Sequence, residues 1–188
     1  MAVLPIQITG APVLHTPAAE VTEFDDELAI LIDDMFETMV AAPGVGLAGP
    51  QVGVAKRIFV FNWTDDEDQL WRGVAINPEL WISPVPVGPA DEDTESEGCL
   101  SVPGERFPLR RAELAILRAL DSDGSPYEIR AEGWLARIFQ HEYDHLDGVL
   151  YVDRLEQEYT KTVAKAIKKN GWGEPGITWQ PGVDDLDA

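Results

Sequence analysis

Hydrophobic residues recur at helical spacing near the start of the chain. They form one stripe, which consists of Phe24, Leu28, Leu31, Met35 and Met39. Acidic residues fill the other faces, and Thr22-Glu-Phe-Asp25 resembles a capping box with Asp in place of Glu. The pattern predicts an amphipathic helix of about four turns that packs on the core and ends at Pro43-Gly44.

Apolar and β-branched runs in the middle of the chain predict strands. Polar turns separate them, and the acidic, proline-rich stretch 83–96 is predicted to be an exposed loop. The strand segments are Arg57–Trp63, Gly73–Ile82 with an interruption at Pro78, Glu113–Ala119 and Tyr127–Gly133.

A second helical stripe runs through Trp134, Ile138, His141 and His145. Positions i and i+4 share one face of a helix, so the two imidazoles of this H-E-x-x-H pattern can reach one metal ion. Glu142 is turned by about 100° and can reach a water at the metal instead. The arrangement suits metal-assisted hydrolysis with a general base.

H-E-x-x-H is nevertheless short and also arises by chance on surface helices. Here the apolar stripe that leads into the histidines favours ligands that point inward, and Asp147-Gly148 supplies a helix end. A last helix is predicted with Asp153 as its candidate N-terminal cap, and it ends at Asn170-Gly171. Strands that lie between three helices indicate an α+β fold.

Composition narrows the class of protein. Its length of 188 residues fits a single domain, and its one cysteine fits a reducing, cytoplasmic setting. The net charge of −20 argues against a specific nucleic-acid partner. The chain contains no apolar run of about 18 residues, so no membrane partner is expected. We divide it into a domain of residues 1–170 and an acidic, Trp-containing tail of residues 171–188.

Two further stretches carry candidate chemistry. The first is the glycine-rich stretch Gly44-Val-Gly-Leu-Ala-Gly-Pro-Gln51. It is consistent with a flexible turn, or with a backbone wall along a cleft that lets a substrate approach closely. A phosphate loop fits it less well. Cys99, within Glu97-Gly-Cys-Leu-Ser101, is either a buried apolar residue, a nucleophile or a metal ligand. We favour the ligand, because with His141 and His145 it leaves a fourth position open for water.

These three segments, in this order, resemble the motifs of peptide deformylase, G-x-G-L-A-A-x-Q, E-G-C-L-S and Q-H-E-x-D-H. The third is present as Gln140-His-Glu-Tyr-Asp-His145, and Gly49 departs from the first motif where the family usually has alanine. The resemblance covers the chain to about residue 170. It implies antiparallel sheets packed around a central metal-binding helix, with an N-terminal and a C-terminal helix.

The resemblance also implies roles for individual residues. Cys99, His141 and His145 would bind the metal, natively Fe(II), with Zn(II), Ni(II) or Co(II) as substitutes. Glu142 would be the general base in removal of the formyl group from N-terminal formyl-methionine, which releases formate. Gln51 and the Leu100 backbone N–H would stabilise the oxyanion.

The substrate would be an N-formyl-methionyl peptide that adds as a strand along Val45, Gly46 and Gly98. The methionine pocket is assigned to Trp134 and Ile138, which could equally be plain core residues. Arg106 is either a contact of the peptide or a surface arginine. A basic cluster on the last helix is a candidate ribosome contact and consists of Lys161, Lys165, Lys168 and Lys169.

Two other functions share part of this pattern. A zincin-type endopeptidase would need a third ligand downstream, but no histidine follows His145. A metal-bearing binding protein without turnover would have no need of a base and an oxyanion donor, yet Glu142 and Gln51 supply both.

Overall fold

The computed structural model describes residues 2–184, and within this range it combines helices with antiparallel strands. The helices are α1 (Asp26–Ala41), α2 (Gly133–Leu146) and α3 (Thr160–Asn170). The strands are β1 (Ile6–Gln7), β2 (Gly46–Ala48), β3 (Ile58–Thr64), β4 (Leu70–Ile82), β5 (Ser96–Cys99), β6 (Val102–Pro108), β7 (Leu114–Leu120), β8 (Pro126–Glu132) and β9 (Thr178–Trp179). The α+β prediction is confirmed.

The main sheet has five antiparallel strands in the order β2-β3-β4-β7-β8, so β2 lies at one edge. Helix α2 packs across this sheet because its buried apolar residues face the inner side chains of the strands; these residues are Leu135, Ala136, Ile138, Phe139 and Leu146. Phe139 of α2 is fully buried, and its ring centroid lies 5.1 Å from that of Phe61 on β3. The packing places the H-E-x-x-H turn of α2 beside the edge strand β2.

Strand β4 continues through Pro78, where the sequence predicted an interruption. Its register with β7 shifts between Ile76 and Glu79, and Asn77 takes a positive φ of 48°. A bulge accommodates the proline, which has no N–H for the ladder, inside one long strand. Strand β6 was not predicted, since Val102–Pro108 lacks a regular alternation of apolar and polar residues.

The capping box predicted at Thr22 is wrong by about one turn. The N-cap of α1 is Asp25, whose carboxylate accepts a hydrogen bond of 3.0 Å from the Leu28 N–H. Thr22 lies outside the helix and is exposed. The Asp25 carboxylate therefore satisfies a free backbone N–H of the first turn of α1, as the hydroxyl of a capping serine or threonine would.

Helix α3 begins at Thr160, so Asp153 does not cap it as predicted. Asp153 instead accepts a hydrogen bond of 2.9 Å from the Leu150 N–H at the start of a short 3₁₀ helix, Tyr151–Asp153. The end of α3 was predicted correctly: Gly171 adopts the left-handed conformation with φ 70°.

After α3 the chain returns to its own N-terminal segment. Strand β9 pairs with β1, with Trp179 opposite Ile6, and the Trp179 side chain is buried in the core. The division between residues 1–170 and 171–188 stays a prediction, and Met1 and residues 185–188 lie outside the described residues. None of the helices within residues 2–184 has the length and apolarity to cross a bilayer.

Candidate active site

Helix α2 and the end of β5 bring together three side chains that could hold a metal ion. One ligand atom each of Cys99, His141 and His145 lies within 4.8 Å of the other two. The Cys99 Sγ is 3.3 Å from the His145 Nε2, and both side chains are buried. One sulfur and two imidazole nitrogens at this spacing suit a divalent ion that keeps a further coordination position open.

A buried carboxylate orients one of these histidines. The Glu97 Oε2 lies 3.0 Å from the His141 Nδ1, which leaves the Nε2 of that ring for an ion. Glu97 is 3% exposed and also accepts hydrogen bonds from Arg111 at 2.8 and 3.0 Å and from Arg137 at 2.7 Å. Arg111 continues the network to Asp144 at 2.6 Å. No pattern in the sequence predicted these contacts of Glu97.

Burial and neighbouring charges act against each other in this network. Burial by itself raises the pKa of Glu97, but the hydrogen bonds from His141 and Arg111 outweigh it and hold that pKa well below its usual range. Burial lowers the pKa of His141, whereas Cys99 and Glu97 raise it, and the net direction without a metal ion is upward. His141 would have to be neutral to ligate an ion, so a bound cation would oppose that protonation.

Glu142 lies at the same site but outside the ligand cluster. It is 4% exposed, and its Oε2 accepts no hydrogen bond from any described residue. Burial raises its pKa to about 7, although the charge of His141 acts in the opposite direction; Glu97 makes a smaller upward contribution. A carboxyl group with this pKa can exchange a proton with water near neutral pH, as a general base must.

The glycine-rich stretch forms edge strand β2 and a buried 3₁₀ turn, Gly49–Val52, rather than a flexible turn. A Cβ atom on Gly46 would lie 2.3 Å from the Glu142 Oε1, which only glycine avoids. At the end of this stretch the Gln51 Oε1 accepts a hydrogen bond of 2.8 Å from the Ala48 N–H. Its Nε2 is thereby directed to the Ser101 Oγ at 3.4 Å and the Cys99 Sγ at 3.7 Å.

A cavity of about 820 Å³ opens onto this cluster. Most of the predicted site residues line it: Val45, Gly46, Gln51, Gly98, Cys99, Leu100, Arg106, Trp134, Ile138, His141 and Glu142. Trp134 is 40% exposed and its ring lies 6.2 Å from Trp63, an aromatic wall that the sequence analysis identified only in part. Trp179 also lines the cavity and was not predicted, because its partners are far away in the chain.

The fold and this site define a metal-dependent hydrolase, in which a buried carboxylate lies beside a cysteine and two histidines that could hold the ion. The sequence model of the family described as polypeptide deformylase matches residues 3–161.

Individual relatives agree with this match. Peptide deformylase 2 of Corynebacterium efficiens is 55% identical over 186 residues, which cover 98% of this chain and 96% of that protein. A crystal structure of a peptide deformylase from Legionella pneumophila superposes with a TM-score of 0.76 and 39% identity, covering 90% of this chain and 96% of that one. The Met-Ala-Ser-bound structure of a class I type b peptide deformylase from Acinetobacter baumannii superposes with a TM-score of 0.71 and 36% sequence identity. The match covers 81% of this chain and 98% of that one.

The chain therefore belongs to the polypeptide deformylase family. It is a metal-dependent enzyme that removes the formyl group from the N-terminal methionine of nascent polypeptides.

Proposed function

We propose that Cys99, His141 and His145 bind the ion, with Fe(II) as the native metal and Zn(II), Ni(II) or Co(II) as substitutes. The observation that carries this assignment is the convergence of their ligand atoms within 4.8 Å, with Cys99 and His141 in the wall of the cavity. The orientation of His141 by Glu97 supports it, because ligating histidines commonly donate their other ring N–H to a carboxylate. A bound divalent ion supplies a Lewis acid, which acidifies water and polarises a carbonyl group.

The residues around the ligands divide the remaining chemistry. Glu142 takes a proton from the attacking water and passes it to the departing amine; its buried Oε2 and its pKa of about 7 suit both steps. The Gln51 Nε2 and the Leu100 N–H donate to the oxyanion that develops on the formyl group. The fixed orientation of the Gln51 amide supports this role: its oxygen accepts a hydrogen bond from the Ala48 N–H, so its Nε2 must point the other way.

The formyl-methionyl peptide binds in an extended conformation between the open edge of β2 and strand β5. Val45, Gly46 and Gly98 supply the backbone contacts; β2 is an edge strand, and β5 pairs only with β6 among the described strands. The methionine side chain enters the part of the cavity walled by Trp134 and Ile138. Arg106 is exposed beside Gly98 and contacts the peptide backbone or its carboxylate.

The enzyme acts in the cytoplasm, where nascent chains emerge and a lone thiolate ligand stays reduced. The exposed lysines of α3 contact the ribosome: Lys161, Lys165, Lys168 and Lys169. They form a basic cluster on a protein of net charge −20, which suits an RNA-rich partner. Neutralising all four is expected to abolish co-sedimentation with ribosomes at low salt, and unchanged co-sedimentation would remove this part of the proposal.

Formate release from formyl-Met-Ala-Ser by anaerobically purified protein tests the catalytic proposal. The Glu142→Ala variant is expected to lose at least about 100-fold in kcat while its metal content stays equal to that of the wild type. Retained turnover in that variant would contradict the assignment of the base. If the metal-loaded wild type releases no formate, the assignment of a formyl-methionyl peptide as the substrate is contradicted.

A further inference from the structure

The C-terminal segment 171–184 is built into the molecule on the side that faces the active site. The Ile8 N–H donates to the Ile177 carbonyl at 3.1 Å, and the Gly173 N–H donates to the Thr9 carbonyl at 3.0 Å. The pairing of β9 with β1 adds two residues of ladder, Ile6 and Gln7 opposite Trp179 and Thr178, next to the Ile8–Ile177 bond. The segment is thus fixed along the N-terminal strand, and Trp179 has a defined position.

From that position Trp179 reaches the turn between β5 and β6. Its indole Nε1–H donates a hydrogen bond of 2.8 Å to the Leu100 carbonyl, and its side chain is 8% exposed. The next carbonyl of the turn, that of Ser101, accepts a hydrogen bond of 2.9 Å from the Thr9 N–H. Two successive peptide groups of the turn are therefore held by the paired N-terminal and C-terminal segments.

This turn directly follows the ligand Cys99 and contains the Leu100 N–H. The N–H and C=O of one residue are related by only its two backbone dihedrals, so a fixed carbonyl restricts where the N–H points. Preorganised donors stabilise a developing oxyanion without reorganising at the moment of reaction. We infer that Trp179 is a positioning residue for the deformylase reaction, which orients the Leu100 N–H through the Leu100 carbonyl. The inference rests on the proposed role of that N–H.

The segment also contributes to the cavity itself. Trp179, Gly182 and Asp184 line it together with Leu100. Asp184 is held in a turn by two hydrogen bonds: its carboxylate accepts from the Gln180 N–H at 2.6 Å, and its own N–H donates to the Gln180 carbonyl at 2.9 Å. The segment after α3 is accordingly part of the wall of the active site, although the family match ends at residue 161.

The test compares Trp179→Phe with Trp172→Phe in the full-length, metal-loaded enzyme. Phe at position 179 keeps an aromatic ring in the core but removes the indole donor. Trp172 packs against the same core and is not among the described residues that line the cavity, so it is the matched control. We expect W179F to lower kcat for formyl-Met-Ala-Ser roughly tenfold, the effect of one lost hydrogen bond, with KM within about twofold. W172F should keep the wild-type kcat.

A second readout does not depend on turnover. In ¹H–¹⁵N spectra the amide resonance of Leu100 should shift in W179F and stay in place in W172F, while product peptide Met-Ala-Ser binds both variants with wild-type affinity. A wild-type kcat in W179F, or an equal loss in both variants, would overturn the inference. Should W179F not fold, the wild type still decides: rapid solvent exchange of the Trp179 indole N–H would show that it holds no carbonyl.

A parallel Gln51→Ala variant separates this inference from the proposed function. A lower kcat in Q51A with a wild-type kcat in W179F would remove the role of Trp179 and leave the oxyanion donors in place. The reverse result would remove Gln51 from the proposed function and leave the role of Trp179 standing.

Discussion

The buried carboxylate of Glu97 joins the stability of this fold to the metal site, and Glu97→Gln tests both at once. Glu97 is 3% exposed and holds Arg111 at 2.8 and 3.0 Å, Arg137 at 2.7 Å and the His141 ring at 3.0 Å. Glutamine has nearly the same shape but neither the charge nor the second acceptor oxygen. Two buried guanidinium groups would lose their shared counterion.

The size of the effect follows from these contacts. Removing one partner of a buried charge pair costs about 3–5 kcal/mol, and stabilities of whole domains are only about 5–15 kcal/mol. Arg111 keeps Asp144 at 2.6 Å and Arg137 keeps the Leu109 carbonyl at 2.6 Å, so we place the loss at the lower end, about 3 kcal/mol. Loss of the group that orients a ligating histidine typically lowers metal affinity by about 10–100-fold.

Two assays measure these effects separately. Urea unfolding of the chelator-treated protein reports the free energy of unfolding without metal, and competition with a chromophoric chelator reports metal affinity. Glu128→Gln is the matched control, because Glu128 pairs with Arg118 at 2.7 Å but the two side chains are 34% and 58% exposed. Surface pairs contribute about 0–1 kcal/mol. A loss in E97Q no larger than in E128Q, with unchanged metal affinity, would refute the reasoning.

Two smaller changes test local features of the structure. Gly46→Ala would place a Cβ 2.3 Å from the Glu142 Oε1, so the carboxylate must move. We expect this variant to lose at least about tenfold in kcat at full metal content. A wild-type kcat would show that the contact can relax. Asp25→Ala removes the bond to the Leu28 N–H and should lower the free energy of unfolding by about 1 kcal/mol, measured by urea denaturation. Thr22→Ala should leave that free energy unchanged, and a larger effect at Thr22 than at Asp25 would return the cap to the position that the sequence suggested.

The chemistry of the site could be predicted because much of it is local. The i, i+4 spacing of His141 and His145 places both rings on one face of any helix, and α2 is a helix over Gly133–Leu146. Glu142 comes with them, since its own position is set by the same turn. Cys99 and Gln51 were predicted as site residues from short motifs, and both line the cavity.

Features that depend on distant partners could not be predicted in the same way. Glu97 is 44 residues from His141 and 14 from Arg111, and a charged residue in a turn-like stretch gives no sign that it is buried. Trp179 is 79 residues from Leu100, in a tail without periodicity. Such contacts arise only after the sheet and helices have assembled.

Helical periodicity and the order of strand and helix segments were enough to predict the fold class of this protein. The reaction, and the groups proposed to carry it, followed from three short motifs that resemble those of peptide deformylase, because each motif consists of residues close together along the chain. The tertiary structure alone decided which groups are desolvated: it buries Glu142, which raises its pKa to about 7, and it surrounds Glu97 with arginines. It also decided that the C-terminal segment contacts the turn between β5 and β6 through Trp179. Burial and long-range hydrogen bonds depend on the packing of the whole chain, so no local pattern encodes them.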